Sequence, residues 1–199
     1  MIQPQFDYAS EFSDGRAGVT INRKAGFIDR SGKVVIQLKY DAVWPFHDGL
    51  AQVRNDIPNG TVMTVEGEQR AYRHQYGFVD REGNEVIPLQ FEEAGYFSEG
   101  YAMVVPANFK LFGIIDKLGR FVHVPEFEEG GEFHEGLARA CVKQKCGYVD
   151  PSGAWVIPPS FIAARDFWHG LASVAWKEGE YGYVDKTGKT IWKNTKKVE

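Results

Sequence analysis

The stretch Tyr-Gly-Tyr-Val-Asp-Lys-Thr-Gly-Lys at residues 181–189 decides the fold, because five versions of it occur along the 199-residue chain. The other versions begin at Gly26, Gly77, Gly113 and Gly147. Their aspartates lie roughly 35 residues apart, except for one interval that is about 16 residues longer. This period is typical of arrays in which each unit packs on its sequence neighbours.

Each version of the phrase predicts a β-hairpin. Aromatic and β-branched residues precede the aspartate, a short turn ending in glycine follows, and a second β-rich run such as 34–36 returns. An aspartate that opens such a turn can accept a hydrogen bond from the backbone two residues on, and the glycine supplies the positive φ. We therefore predict a structural turn role for five aspartates, namely Asp29, Asp80, Asp116, Asp150 and Asp185.

A second phrase, such as Phe-Ser-Glu-Gly-Tyr-Ala at residues 97–102, alternates with the first. Since no stretch has the period of an amphipathic helix, the sequence predicts an all-β protein. We expect one domain over residues 1–199, built from five short hairpin-rich repeats. An insertion at about residues 54–76 breaks the repeat once, and its alternating run at 61–65 predicts a protruding hairpin.

The points within the repeat at which the sequence begins and ends bear on whether the array closes into a ring. The terminal half-repeats, residues 1–25 and 182–192, together make one complete unit. A unit shared between the ends removes exposed sheet edges, whereas an open array more naturally carries polar capping units. The sequence therefore favours a closed or nearly closed, propeller-like ring over an open β-superhelix.

These motifs resemble the WG-repeat family of bacterial proteins, also called KWG repeats. The resemblance rests on residues 181–189, on Val-Ile-Pro-Pro at 156–159 and on residues 97–102, and covers nearly everything outside the insertion. The residue before the first glycine is never tryptophan in this chain: it is Ala25, Tyr76, Phe112, Cys146 or Tyr181. The resemblance implies a repeat scaffold with a binding role and supplies no catalytic residues.

Composition and motifs argue against several classes of function. With 23 Lys and Arg against 27 Asp and Glu, the net charge of −4 argues against nucleic-acid binding. The first residues lack a signal-peptide pattern, and no apolar run reaches the roughly 18 residues that span a bilayer. We expect a cytoplasmic protein without membrane insertion. Because catalytic, phosphate-binding and metal-ligand motifs are absent from the sequence, we expect no enzyme, no cofactor and no metal, and we interpret the histidines as solvated loop residues.

The two cysteines, Cys141 and Cys146, flank a short link and could face each other across a hairpin. Two cysteines in a chain without a signal peptide are more often free thiols. Free thiols are therefore the expectation, and a disulfide is the alternative.

Charge is segregated along the repeat. Acidic residues precede the Phe-x-acid-Gly turn of four units, whereas Lys and Arg collect at other turns, for example at Lys24 and Lys186. Because a repeat array places equivalent loops on one side, we predict an acidic face opposed to a basic one. The alternative is a solvated face kept soluble by its charge.

Aromatic residues that vary between units interrupt the acidic segments, as interface anchors do. Partly buried packing is the alternative for these aromatics. The predicted partner-binding residues are Asp41, Trp44, Glu92, Glu93, Tyr96, Glu126, Glu128, Glu129, Glu132 and Trp168.

Together these features predict a non-catalytic scaffold that binds another protein, with an acidic face that attracts a basic partner. A specific form of this hypothesis is an immunity protein that masks the basic cleft of a toxin. The alternative is a module that binds a glycan or a cell-envelope ligand by stacking sugars on Trp44, Trp155, Trp168 or Trp176.

Overall fold

The computed structural model describes residues 5–194, and the described chain is all β, with no helix that could cross a membrane. Nineteen strands follow one another within these described residues. They are β1 (Tyr8–Ala9), β2 (Ala17–Ile21), β3 (Lys24–Ile28), β4 (Val34–Tyr40), β5 (Ala42–His47), β6 (Leu50–Thr64), β7 (Gly67–Val79), β8 (Glu85–Ala94), β9 (Tyr101–Pro106), β10 (Phe112–Asp116), β11 (Phe121–Phe127), β12 (Glu129–His134), β13 (Leu137–Val142), β14 (Lys145–Val149), β15 (Trp155–Phe161), β16 (Ala163–Ala164), β17 (Leu171–Lys177), β18 (Glu180–Asp185) and β19 (Thr190–Lys193).

The chain divides into two compact units, residues 1–94 and 95–199. In the first unit β1–β4 form a four-stranded sheet, and β5–β8 pair with one another in chain order. In the second unit β9–β11 pair in chain order, and β12–β15 and β16–β19 each form a four-stranded sheet. All of these pairs are antiparallel, as expected for strands joined by tight turns.

The predicted all-β repeat fold is confirmed, and its structural unit begins at the second sequence phrase. The first sheet runs from Tyr8 to Tyr40, and the last runs from Ala163 to Lys193. Each terminal half-repeat therefore belongs to a complete four-stranded sheet, and neither needs the other to complete one. Residues 1–4 of the first half-repeat lie outside the described residues.

The insertion forms the protruding hairpin that its alternation predicts. Strands β6 and β7 remain paired from Arg54 and Tyr76 out to Thr64 and Gly67, with one register shift between Pro58 and Thr61. Strand β5 pairs with β6 only as far as Arg54, and β8 pairs with β7 only from Tyr76 onward. Beyond these points the hairpin is a two-stranded ribbon with mostly exposed side chains.

The hydrophobic core lies between consecutive sheets. In the first unit Phe27 of β3 packs on Phe46 of β5, with ring centroids 5.0 Å apart. In the second unit Tyr148 of β14 packs on Phe167, which precedes β17, with centroids 4.7 Å apart. We call such an aromatic contact between successive sheets a junction. Both junctions join residues 19 positions apart, about half of the repeat, so each sheet packs on the next through the same two positions of the repeat.

The aspartates of the first phrase open the turns that precede strands β4, β8, β11, β15 and β19. The Oδ1 atom of Asp29 accepts hydrogen bonds from the N–H groups of Ser31 at 2.9 Å and Lys33 at 3.1 Å. The same pair of bonds recurs at Asp80, Asp116, Asp150 and Asp185. Each side chain thus satisfies two backbone donors of its own turn.

Candidate functional site

A second set of turns precedes strands β2, β6, β9, β13 and β17 and carries the motif Phe-x-acid-Gly. We call them the Phe turns; they are residues 12–15, 46–49, 97–100, 133–136 and, with His169 in the acidic position, 167–170. The acidic residue has a positive φ, for example 53° at Glu99 and 56° at Glu135. L-residues rarely adopt this conformation, so contacts within the fold must stabilise it.

Those contacts connect one Phe turn to the next. The Glu99 carboxylate accepts hydrogen bonds from the N–H groups of Glu135 and Gly136, and the Glu135 carboxylate accepts one from Gly170 at 2.9 Å. The Ser98 hydroxyl donates to the carbonyl oxygen of Phe133 at 2.6 Å. Glu99 and Glu135 therefore connect successive Phe turns of the second unit, and their presence at this position does not require a ligand.

His134 stands at the centre of a group of exposed or half-buried polar and aromatic residues in the second unit. Its Nε2 atom lies 3.7 Å from a carboxylate oxygen of Glu132 and 3.9 Å from one of Asp166. Burial, together with the nearby charge of Glu132, raises the pKa of the Tyr96 phenol. Trp168 is 71% exposed and contacts His169 edge to face at 5.0 Å. We call Tyr96, Glu132, His134, Asp166 and Trp168 the His134 cluster.

A cleft of about 240 Å³ adjoins this cluster. Its lining residues come from three successive Phe turns and are Glu99, His134, Glu135, Phe167, Trp168 and His169. Lys186 lies on its border, where its ammonium donates to the carbonyl oxygen of Glu135 at 3.1 Å. Glu99 and Glu135 already accept backbone hydrogen bonds, whereas Glu132 and Asp166 lie beside the cleft, next to His134, with partly exposed side chains.

A second cleft, of about 320 Å³, lies beside the cysteines. Cys141 and Cys146 are opposite each other on β13 and β14 and form a disulfide, so the expectation of free thiols is wrong. The tight hairpin places the two side chains in a directly facing pair, with Cα atoms 4.0 Å apart, which a search for sequence motifs cannot establish. The sulfurs and Glu129 are near enough to hold a metal ion, but the disulfide leaves no thiolate to bind one.

Two predicted binding residues on this cleft already have partners. Arg139 forms an ion pair with Glu129 at 2.8 Å, and Glu128 accepts a hydrogen bond from the N–H group of Gln144 at 3.2 Å. The ion pair neutralises the charge of Glu129, and Glu128 satisfies a backbone donor of the turn between β13 and β14. This cleft is therefore less acidic than its sequence indicates.

The predicted separation of charge onto opposed faces does not hold where Lys24 and Asp41 meet. Their charged groups form an ion pair at 2.7 Å, although Lys24 was assigned to the basic face and Asp41 to the acidic one. In an antiparallel sheet the turn after the second strand and the segment after the fourth strand lie at the same end, which explains the contact. Lys186, in contrast, pairs with Glu135 of a Phe turn at the other end.

The remaining predicted residues of the first unit have mainly local partners. Trp44 packs on Tyr76 at 5.7 Å and beneath the guanidinium of Arg54. Glu92 is half-buried, and Glu93 is exposed.

Six of the ten predicted binding residues belong to the second unit, and the structure brings three of them, Tyr96, Glu132 and Trp168, around His134. Glu128 and Glu129 line the cleft at the disulfide, and Glu126 lies 3.5 Å from His123. Sequence reasoning missed His134 and Asp166. An alignment of the repeats could have identified them. Asp166 precedes Phe167 as Glu132 precedes Phe133, and His134 follows Phe133 as Trp168 follows Phe167.

Comparison with known proteins gives one clear family match. A model described as WG containing repeat matches residues 1–24, 26–56, 76–105, 112–146 and 147–176. No curated protein matches the chain by sequence.

Two solved structures are distantly similar to this chain. A protein of unknown function from Bacteroides caccae is 12% identical, with a TM-score of 0.34 over 93% of this chain and 79% of that one. A streptogramin B lyase is 13% identical, with a TM-score of 0.39 over 96% of this chain and 83% of that one. Neither similarity is close enough to bear on function.

Proposed function

The chain belongs to the family of WG-containing repeat proteins, and we propose that it is a non-catalytic scaffold that binds a basic segment of another protein through the His134 cluster. The observation that carries this proposal is the position of Glu132 and Asp166, which flank His134 beside the exposed indole of Trp168. Carboxylates and an aromatic face close together are the groups that recognise ammonium and guanidinium ions.

In this proposal a lysine or arginine side chain of the partner binds beside His134. Glu132 and Asp166 would accept charge-assisted hydrogen bonds from the cationic group, and Trp168 would cover its aliphatic part or its charged plane. The adjoining cleft has room for one such side chain. A toxin with a basic active cleft is one partner of this chemistry, in which case the scaffold would act as an immunity protein.

A titration with an oligoarginine peptide tests the proposal. We expect the double variant Glu132→Gln, Asp166→Asn to weaken binding by roughly tenfold at low salt, because two exposed charge pairs are lost. The control is Glu82→Gln, which removes an exposed carboxylate of the first unit outside the predicted binding residues and should leave the affinity unchanged. Equal affinities for wild type and double variant would exclude the His134 cluster as the binding site.

The exposure of Trp168 also supports the alternative of a glycan-binding module. Trp155 is half-buried edge to face on Phe127, and Trp176 packs on Phe161, so neither is as accessible to a sugar. Salt separates the two functions, because binding of a basic segment weakens as ionic strength rises and stacking on a sugar does not. Binding of an oligosaccharide that is lost in Trp168→Ala but indifferent to salt would favour the glycan module.

A further inference from the structure

The last sheet presents aromatic side chains at positions that are buried in other sheets. Tyr183 of β18 occupies the position of Phe27, Ile114 and Tyr148, which are 0% exposed, yet Tyr183 itself is 45% exposed. Trp192 of β19 pairs with Tyr183 and is 48% exposed, whereas Ile36 and Ile157 at the same position are 3% and 5% exposed. We call Leu171, Tyr181, Tyr183 and Trp192 the end face.

The junctions inside the chain show what covers such a position. Tyr148 is covered by Phe167, and Phe27 is covered by Phe46, so in both cases the phenylalanine of the next Phe turn lies on the aromatic ring. Ile157 is likewise covered by the next sheet. Gly188 of that sheet lies so close that a Cβ added to it would be 3.3 Å from the Ile157 side chain. The end face thus has the groups of one half of a junction without the other half.

The first sheet contains the matching exposed group. Phe46, Phe133 and Phe167 of the Phe turns are at most 2% exposed, whereas Phe12 of the first Phe turn is 43% exposed. Ala17, Val19 and Ile28 of the same sheet are already buried with Phe6 and Leu38. Tyr8 and Val34 of this sheet are exposed as well, but Phe12 is the exposed residue at the position whose counterparts Phe46 and Phe167 form the interior junctions.

We propose that the end face binds the first Phe turn of a second copy of this chain, with Phe12 of one copy packed on Tyr183 and Trp192 of the other. The contact repeats the junctions of the interior, now between molecules. Because it joins two different surfaces, association is head to tail and continues to higher oligomers unless the chain of copies closes.

The histidine at position 169 should make this contact weaker than the junctions inside the chain. The last Phe turn carries His169 where Glu99 and Glu135 supply carboxylates that bind the backbone of the following turn. The intermolecular junction therefore depends on aromatic packing without that carboxylate bond. We expect a reversible association that depends on protein concentration, weaker than the junctions within the chain.

Sedimentation velocity of the full chain over a range of concentrations tests the proposal. Wild type should form dimers and larger species, and Tyr183→Asp and Phe12→Asp should each be monomeric. The control is Tyr72→Asp, which places the same charge on an exposed aromatic position of the protruding hairpin and should behave as wild type. Thermal melts of all variants show whether they remain folded, which we expect because both substituted side chains are substantially exposed.

Mixing the two variants identifies the partner surface. Tyr183→Asp retains the first Phe turn and Phe12→Asp retains the end face, so an equimolar mixture should form dimers and nothing larger. Dimers of Phe12→Asp alone would show that two end faces pair with each other and would overturn the proposal. A wild-type chain that stays monomeric at all concentrations, or one whose association resists Tyr183→Asp, would also overturn it.

Discussion

The Glu99 carboxylate accepts hydrogen bonds from the backbone N–H groups of Glu135 and Gly136, each at 2.7 Å. Glu135 is 36 residues further along the chain, in the next Phe turn. Glu135 in turn accepts a bond from Gly170, so one turn position is used twice in succession to connect the sheets of the second unit. The connection uses main-chain donors, and it therefore tolerates sequence variation in the turn that is bound.

Replacement of Glu99 by alanine should lower the free energy of unfolding by about 1–2 kcal/mol, because two backbone donors lose a charged acceptor. Chemical denaturation of the purified protein measures this change. Glu93→Ala is the control, since that glutamate is exposed, and its effect should stay within about 0.5 kcal/mol. A Glu99→Ala protein as stable as the control would contradict the structural role of the turn carboxylates.

Alanine at Gly77 should destabilise the protein by about 1–3 kcal/mol through overpacking. A Cβ at this position would lie 2.7 Å from the carbonyl oxygen of Ile87, and backbone atoms on β8 cannot move aside cheaply. Thermal unfolding of Gly77→Ala gives the measurement.

A matched substitution is available at Gly95, where an added Cβ would meet the carbonyl oxygen of Met103 only at 3.4 Å. Gly95→Ala should melt close to wild type. If both variants were equally stable, close strand approach would not explain the glycine of the first phrase.

Loss of the disulfide should cost about 2 kcal/mol, the amount expected for a short closed loop in the unfolded chain. We expect Cys141→Ala, Cys146→Ala to melt below wild type in the absence of reductant and to be insensitive to reductant itself. A thiol assay on the unreduced wild-type protein should find no free thiol. Two titratable thiols per chain would contradict the disulfide.

Acid should destabilise the protein through the turn aspartates. The hydroxyls of Ser31, Ser152 and Thr187 donate hydrogen bonds that hold the pKa values of Asp29, Asp150 and Asp185 below their usual range. The folded state therefore favours the ionised carboxylates. Their contribution is complete above the unfolded pKa of about 3.9 and is lost as the pH falls through the lowered folded values.

The free energy of unfolding, measured by denaturant titration between neutral and strongly acidic pH, should fall steeply at the acidic end. Asp150→Asn removes one titrating group and should make the decline shallower. An identical pH profile in the variant would show that Asp150 does not contribute to acid lability.

Much of the fold could be predicted from the sequence because the repeat phrase contains local turn chemistry and strand patterning. The Asp-x-x-Gly turns depend on neighbours within four residues, so one sequence suffices to identify them. The residue at which each sheet begins could not be predicted in this way, because the sequence repeat can be divided before either phrase. The boundary between sheets depends on which strands pair, as β1 does with β2.

The candidate site was less predictable because it depends on contacts between repeats. Glu132 and Trp168 were identified by charge and by variation, but the approach of Asp166 to His134 requires two sheets to pack. The ion pair between Lys24 and Asp41 has the same origin, since two turns distant in sequence meet at one end of a sheet. The disulfide likewise depends on the register of β13 and β14. Stable disulfides are typical of oxidising compartments, so the cytoplasmic location stays a prediction that the disulfide does not favour.

The protruding hairpin formed by β6 and β7 gives the chain a place where its length can change. Its two ends, at Arg54 and Tyr76, are paired neighbours, so whatever connects them leaves the sheet beneath undisturbed. A shorter loop, an epitope tag or a whole foreign domain with adjacent termini could replace residues 57–73 without a change in the repeat period.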